Sequence, residues 1–192
     1  LLQYPVLARQ ILSTIQQWRT TLEELLIRYE KDAYEVATKF FKDITIGALV
    51  KVSIGEGDPH CDGRTVCLLH FECGATLVYK PRSLAVDHAF EGLLHWMHDH
   101  GLEIQLKSPA VIDHGDYGWA EFIQNLSCES EAEIATFFQR QGALLAVLYL
   151  LNASDFHHEN LIAYGSFPVP VDLETLLQPN LNISGAAIGS AT

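Results

Sequence analysis

The feature that most constrains this chain is a polar loop placed between an apolar run and a hairpin. The loop, residues 152–160, carries Asp155 and Asn160 five residues apart. A predicted hairpin, 161–172, ends in Asp172, which stands seventeen residues after Asp155. An Asp and an Asn at this spacing also fit an Asx-rich turn after a helix. The interpretation of the loop therefore depends on the residues that precede it.

Upstream of the loop, three β-prone segments follow one another at 48–54, 65–71 and 75–80. A glycine-bearing loop, 55–63, separates the first two, and the third ends in Lys80. Glycines let backbone amides approach phosphates that a side chain would hold away, although they also fit simple turns. This part of the chain therefore indicates a sheet with one cation at a strand end.

The next predicted elements are a helix at 86–100, a hairpin at 109–123, and a long helix that opens with a capping box from Ser130 to Glu133. The full order is three strands, a helix, a hairpin, a helix, the polar loop, and a hairpin ending in an acid. This order resembles that of the protein kinases. The resemblance predicts an α+β, kinase-like fold with an N-terminal lobe and the start of a C-terminal lobe.

Kinase chemistry gives each of these residues an expected role. In that family an Asp at the position of Asp155 accepts a hydroxyl proton, and oxygen ligands at Asn160 and Asp172 hold Mg²⁺ against nucleotide phosphates. Lys80 would bind the phosphates and pair with an acid of the next helix. Glu91 is the best-placed candidate for this partner, although a solvated charge is the favoured interpretation of it. As a strand-end residue, Lys80 is expected to be accessible, and its loss should leave the fold largely intact.

Six segments carry a more specific resemblance that extends from residue 4 to about 179. They are YPVLAR at 4–9, GDPH at 57–60, VYKPRSL at 78–84, GDYGW at 115–119, DFHHENL at 155–161 and VDLETL at 171–176. Together these segments resemble the dehydratase domain of the class II lanthipeptide synthetases, the LanM type.

The LanM resemblance implies a lipid-kinase-like core and an activity in lantibiotic biosynthesis. Such enzymes use ATP and Mg²⁺ to phosphorylate Ser and Thr of a ribosomal precursor peptide, then eliminate the phosphate to give dehydroalanine or dehydrobutyrine. A separate C-terminal zinc cyclase domain closes the rings. The implied catalytic residues are Asp58, His60, Asp155 and His157; Lys80 would bind ATP, and Asn160, Asp172 and Glu174 would bind the metal. Arg82 fits either a second cation for the ATP phosphates or a surface salt bridge.

The resemblance also divides the chain into a helical segment at 1–44, a partial dehydratase core at 45–179 and an irregular tail at 180–192. The family's dehydratase continues for hundreds of residues and takes an elimination Arg and Thr from that later part. We therefore expect this chain to be part of a larger synthetase, inactive or only partly active alone. Two alternatives stay open, a phosphotransferase acting on a small molecule or lipid, and an inactive scaffold.

Composition narrows the classes of partner. Asp and Glu outnumber Lys and Arg by 24 to 12 in the 192 residues, and the net charge of −12 argues against a nucleic-acid binder. The longest apolar run is too short to cross a membrane, and Leu1 does not begin a signal peptide, so a cytoplasmic location is expected. The four cysteines form no CxxC pair, which favours reduced thiols over a zinc site.

The first 41 residues predict two helices, at 5–18 and about 21–41. Both have an apolar face. They are expected to form either a packing layer or a surface for another domain.

Overall fold

The computed structural model describes residues 4–42, 44–55 and 64–177, and the fold is α+β. The predicted order of elements from residue 48 onward is confirmed, with ends shifted by one or two residues. The elements are α1 (Pro5–Phe40), β1 (Leu49–Ile54), β2 (Cys67–Phe71), β3 (Thr76–Lys80), α2 (Ala85–Asp99), β4 (Val111–Asp113), β5 (Gly118–Glu121), α3 (Glu131–Leu150), β6 (Leu161–Tyr164) and β7 (Phe167–Pro170).

Five strands form one antiparallel sheet in the order β1-β2-β3-β5-β4, and β6 and β7 form a separate hairpin. Alternate residues of a strand face opposite sides of a sheet. On one side Leu69, Tyr79 and Trp119 are buried in a core cluster with α1. The opposite side carries Leu68, Val78 and Ala120, which line a cleft. The sheet therefore separates a packed layer from the candidate site.

Helix α1 is a single helix of 36 residues, so the prediction of two helices is wrong. No Gly or Pro stands between residues 6 and 40, and nothing at 19–20 interrupts the backbone hydrogen bonds. Only the second half packs on the sheet, through buried residues that include Leu25 and Val36. The large apolar side chains of the first half, such as Ile15 and Trp18, are exposed.

The buried carboxylate of Asp32 links α1 to the sheet through hydrogen bonds. The Oδ2 atom of Asp32 accepts hydrogen bonds from the Tyr117 hydroxyl at 2.8 Å and from Trp119 Nε1 at 2.9 Å. His114 Nε2 lies 3.3 Å from the same oxygen. Burial and the hydrogen bond to Asp32 raise the pKa of Tyr117, because the phenolate would be both desolvated and repelled. The helix is therefore held by directional bonds as well as by apolar packing.

The start of α2 is fixed by Asp113 at the end of β4. Its Oδ1 atom accepts hydrogen bonds from Leu84 N at 2.8 Å, Gly115 N at 3.1 Å and Ser83 Oγ at 3.2 Å. Burial alone would raise the pKa of Asp113, but these bonds outweigh it and lower the pKa below its usual value. Leu84 is the N-cap residue and cannot cap with its own side chain, so Asp113 supplies the acceptor from a distant strand.

Replacing Asp113 with alanine should lower the free energy of unfolding by about 1 to 2 kcal/mol, because two donors at the helix start and one in the turn after β4 lose their acceptor. The lowered pKa means that this contribution is fully present at neutral pH and is lost as the pH falls through the folded-state pKa. Urea denaturation at neutral and acidic pH measures both effects. Glu103→Ala, which removes an exposed acid, is the matched control. Equal losses in the two variants would contradict the capping role.

None of the helices within the described ranges is both long enough and apolar enough to cross a membrane.

Candidate active site

A cleft of about 640 Å³ lies between the free side of the sheet and the polar loop with its hairpin. Its sheet side is apolar, and its other side is rich in acids. The lining residues used below are Leu68, Val78, Lys80, Asp87, Ala120, Asp155, His157, Asn160, Ile162, Val171, Asp172 and Glu174. The cleft therefore combines an apolar wall with hydrogen-bonding and charged groups, as ligand sites do.

Lys80 closes β3 inside this cleft. Its side chain donates a hydrogen bond to the Val171 carbonyl oxygen at 2.6 Å, and its Nζ lies 3.6 Å from Asp87 Oδ1. Burial lowers the pKa of Lys80, while the nearby Asp87 carboxylate opposes the shift. The expectation of an accessible lysine is wrong, since only 8% of the residue is exposed.

The acidic partner of Lys80 is Asp87, and the candidate Glu91 does not take this role. Glu91 lies one helical turn further on, with its carboxylate 3.7 Å from His88 Nδ1. The sequence held a signal for Asp87: together with Phe90 and Leu94 it follows the i, i+3, i+7 spacing of one helix face, and all three are buried. A carboxylate on a buried face needs a cation or hydrogen-bond donors beside it.

Arg82 bridges three carboxylates at the edge of the cleft. Its guanidinium lies 3.2 Å from Asp87 Oδ2, 2.9 Å from Asp172 Oδ1 and 3.4 Å from Glu174 Oε2. These acids come from α2 and from the segment after β7, so one side chain joins two distant parts of the chain. Of the two roles considered for Arg82, ion pairing with acids is the one seen in this structure.

The polar loop holds Asp155 in the left-handed region, with φ of 59°. Asp is one of the few non-glycine residues that adopt this region readily. The Asn160 side-chain amide donates to the Asp155 carbonyl oxygen at 2.9 Å and fixes the loop. His157 Nε2 lies 4.0 Å from Asp155 Oδ1, and His157 Nδ1 lies 3.8 Å from Glu159 Oε2.

Two contacts hold the acidic segment against the loop. Val171 N donates to the Asn160 carbonyl oxygen at 3.0 Å. The Thr175 hydroxyl donates to the Ser154 carbonyl oxygen. As a result Asn160 and Asp172 lie on the same wall of the cleft, facing the strand that carries Lys80.

The donor atoms on this wall suit a hard cation. Asp172 and Glu174 offer carboxylate oxygens, and Asn160 retains its amide oxygen because the amide nitrogen is used within the loop. A cation, the Arg82 guanidinium, already stands between the two carboxylates. Across the described ranges, however, no three His, Cys, Asp or Glu side chains group as a metal site. The ligands that this wall offers a metal ion are therefore two carboxylates and one amide oxygen.

Of the nine predicted site residues, seven lie together. Lys80, Asp155, His157, Asn160, Asp172 and Glu174 line the cleft, and Arg82 contacts two of them. The predicted catalytic residues Asp58 and His60 lie outside the described residues. Sequence reasoning missed Asp87 and the Val171 carbonyl oxygen.

Two comparisons with known proteins bear on this arrangement. The family described as "Domain of unknown function (DUF4135)" matches residues 4–191. The lacticin 481/lactococcin biosynthesis protein LcnDR2 of Lactococcus lactis subsp. lactis is 27% identical over 183 residues, which are 91% of this chain and 19% of that protein. The chain thus spans about a fifth of the length of this relative.

Proposed function

The chain belongs to the DUF4135 family, and we propose that it forms the ATP-binding, kinase-like part of a lanthipeptide precursor dehydratase. The activity is ATP-dependent phosphorylation of Ser and Thr in a precursor peptide, followed in the intact enzyme by elimination of the phosphate. The similarity to a lacticin 481 biosynthesis protein supports this pathway class. The intact enzyme carries a cyclase domain as well.

The observation that carries the proposal is the convergence of Lys80, Asp155, Asn160 and Asp172 on one cleft. These residues come from a strand, a loop and the segment after a hairpin, and phosphoryl transfer needs a cation, a base and metal ligands in one place. The apolar wall formed by Leu68, Val78 and Ala120 supplies a surface for a nucleotide base.

Each residue then has a role set by its atoms. Lys80 binds phosphate oxygens, and Asp87 keeps its amine charged against the effect of burial. Asp155 accepts the hydroxyl proton of the substrate Ser or Thr, and His157, whose Nε2 lies 4.0 Å from that carboxylate, helps to position the proton. Mg²⁺, held by Asn160, Asp172 and Glu174, would neutralise phosphate charge when bound.

Incubation with a Ser/Thr-rich precursor peptide and Mg·ATP, followed by mass spectrometry, tests the proposal. We expect a small yield of phosphorylated peptide, because transfer needs only the groups of this cleft. Reactions without ATP or without Mg²⁺ are the controls. Loss of water from the peptide would show a complete dehydratase activity in this chain alone. An unmodified peptide with no ATP binding would contradict the proposal and favour a scaffold.

A further inference from the structure

Arg82 is held more firmly than a surface arginine. Its side chain is 16% exposed, and three of its nitrogens each face a different carboxylate. Asp87, the most buried of the three acids, contacts NH1 and leaves Nε and NH2 for Glu174 and Asp172. A guanidinium has a planar fork with donors in fixed directions, so it bridges two carboxylates in a defined geometry that a rotatable ammonium does not impose.

The charges of this cluster nearly balance. Lys80 and Arg82 face the carboxylates of Asp87, Asp172 and Glu174, which are two positive charges against three negative ones. Asp87 is shared between both cations. In the part of the chain that the structure describes, Arg82 is the only cation within ion-pair distance of Asp172 and Glu174. An added divalent cation would therefore compete with Arg82 for these two carboxylates.

We propose that Arg82 is the resident counter-cation of Asp172 and Glu174, and that a divalent cation binds these carboxylates only by displacing its guanidinium. The inference rests on the proposed function in taking the two acids as cation ligands. In the nucleotide-free protein the Arg82 guanidinium pairs with the carboxylates. Once the metal has bound, its donors are free to bind phosphate oxygens. Metal and nucleotide should therefore bind with positive coupling, since each favours the displaced position of one side chain.

Titration with Mn²⁺ in the absence of nucleotide, followed by the EPR signal of the free ion, measures the competition directly. Arg82→Met should bind Mn²⁺ about five- to tenfold more tightly than the unaltered chain, because two partly exposed carboxylates lose their competing cation. Arg19→Met removes the same charge from an exposed position of α1 and should leave the affinity within about twofold. Arg82→Lys should fall between them, since it keeps the charge without the fork.

Asp172→Asn separates failure of this inference from failure of the proposed function. If Asp172→Asn weakens Mn²⁺ binding while Arg82→Met leaves it unchanged, the metal assignment stands and the role of Arg82 is overturned. If Asp172→Asn has no effect, the metal assignment fails and takes the inference with it. Circular dichroism of each variant establishes that the fold is retained, and Arg82→Lys provides the test if Arg82→Met does not fold.

Discussion

Replacing Lys80 with methionine should weaken ATP binding by about 100-fold, because a charge-assisted hydrogen bond to phosphate contributes roughly 2 to 3 kcal/mol. The effect should be large because Lys80 is buried in the cleft, where a phosphate would meet it with little screening. Methionine keeps the length and volume of the side chain and removes only the amine. Titration with a fluorescent ATP analogue in the presence of Mg²⁺ measures the change.

The control for this experiment is Lys51→Met, which removes an exposed lysine from the same sheet. Methionine at position 80 leaves the Val171 carbonyl oxygen without its donor, so a stability loss of about 1 to 2 kcal/mol is expected as well. Asp87 retains Arg82, which limits that loss. Binding by a folded Lys80→Met variant that equals binding by Lys51→Met would exclude Lys80 from the nucleotide site.

Local patterns predicted the elements of the fold but not their arrangement. Alternating apolar residues and glycine turns located β1, β2 and β3, and the Ser130 cap was correct: its side chain accepts a hydrogen bond from Glu133 N. Periodicity carries no information about which strands pair after a long connection. The later strand β5, and not β4, pairs with β3, and no local rule describes that choice.

The residues of the candidate site could be predicted from their spacing in the sequence. Their contacts with one another could not, because those contacts depend on tertiary packing. Lys80, Asp155 and Asp172 were singled out by their spacing, and they share a cleft. To identify Asp87 and not Glu91 as the partner of Lys80, one must know which face of α2 points toward the lysine. The pairing of Arg82 with acids required the path of the chain after β7, which follows from tertiary contacts alone.

Helix α1 contains a buried polar residue, Asp32, that the periodicity of apolar residues does not predict. Asp32 lies between Leu25 and Val36 on the buried face of α1, where a hydrophobic pattern counts it as a defect. Its partners, Tyr117 and Trp119, lie 85 and 87 residues further along the chain. Buried carboxylates are retained when hydrogen bonds satisfy them, and those donors cannot be identified before the fold is known.

Replacing Asp32 with alanine should lower the free energy of unfolding by about 3 kcal/mol or more, since it leaves two buried donors without an acceptor. The donors are the Tyr117 hydroxyl and Trp119 Nε1, and both bonds go to the same oxygen. The cost should exceed that of an exposed acid because water cannot reach the cavity to replace the lost acceptor. Chemical denaturation followed by tryptophan fluorescence reports the change, since Trp119 lies at the site.

Glu30→Ala is the matched control, because it removes an exposed acid from the same helix and should change stability by no more than about 0.5 kcal/mol. Asp32→Asn provides a second, graded test. An asparagine keeps one acceptor oxygen, so it should retain part of the stability that alanine loses, provided that oxygen faces Tyr117 and Trp119. If all three variants were equally stable, the hydrogen bonds of Asp32 would only offset the cost of burying its charge.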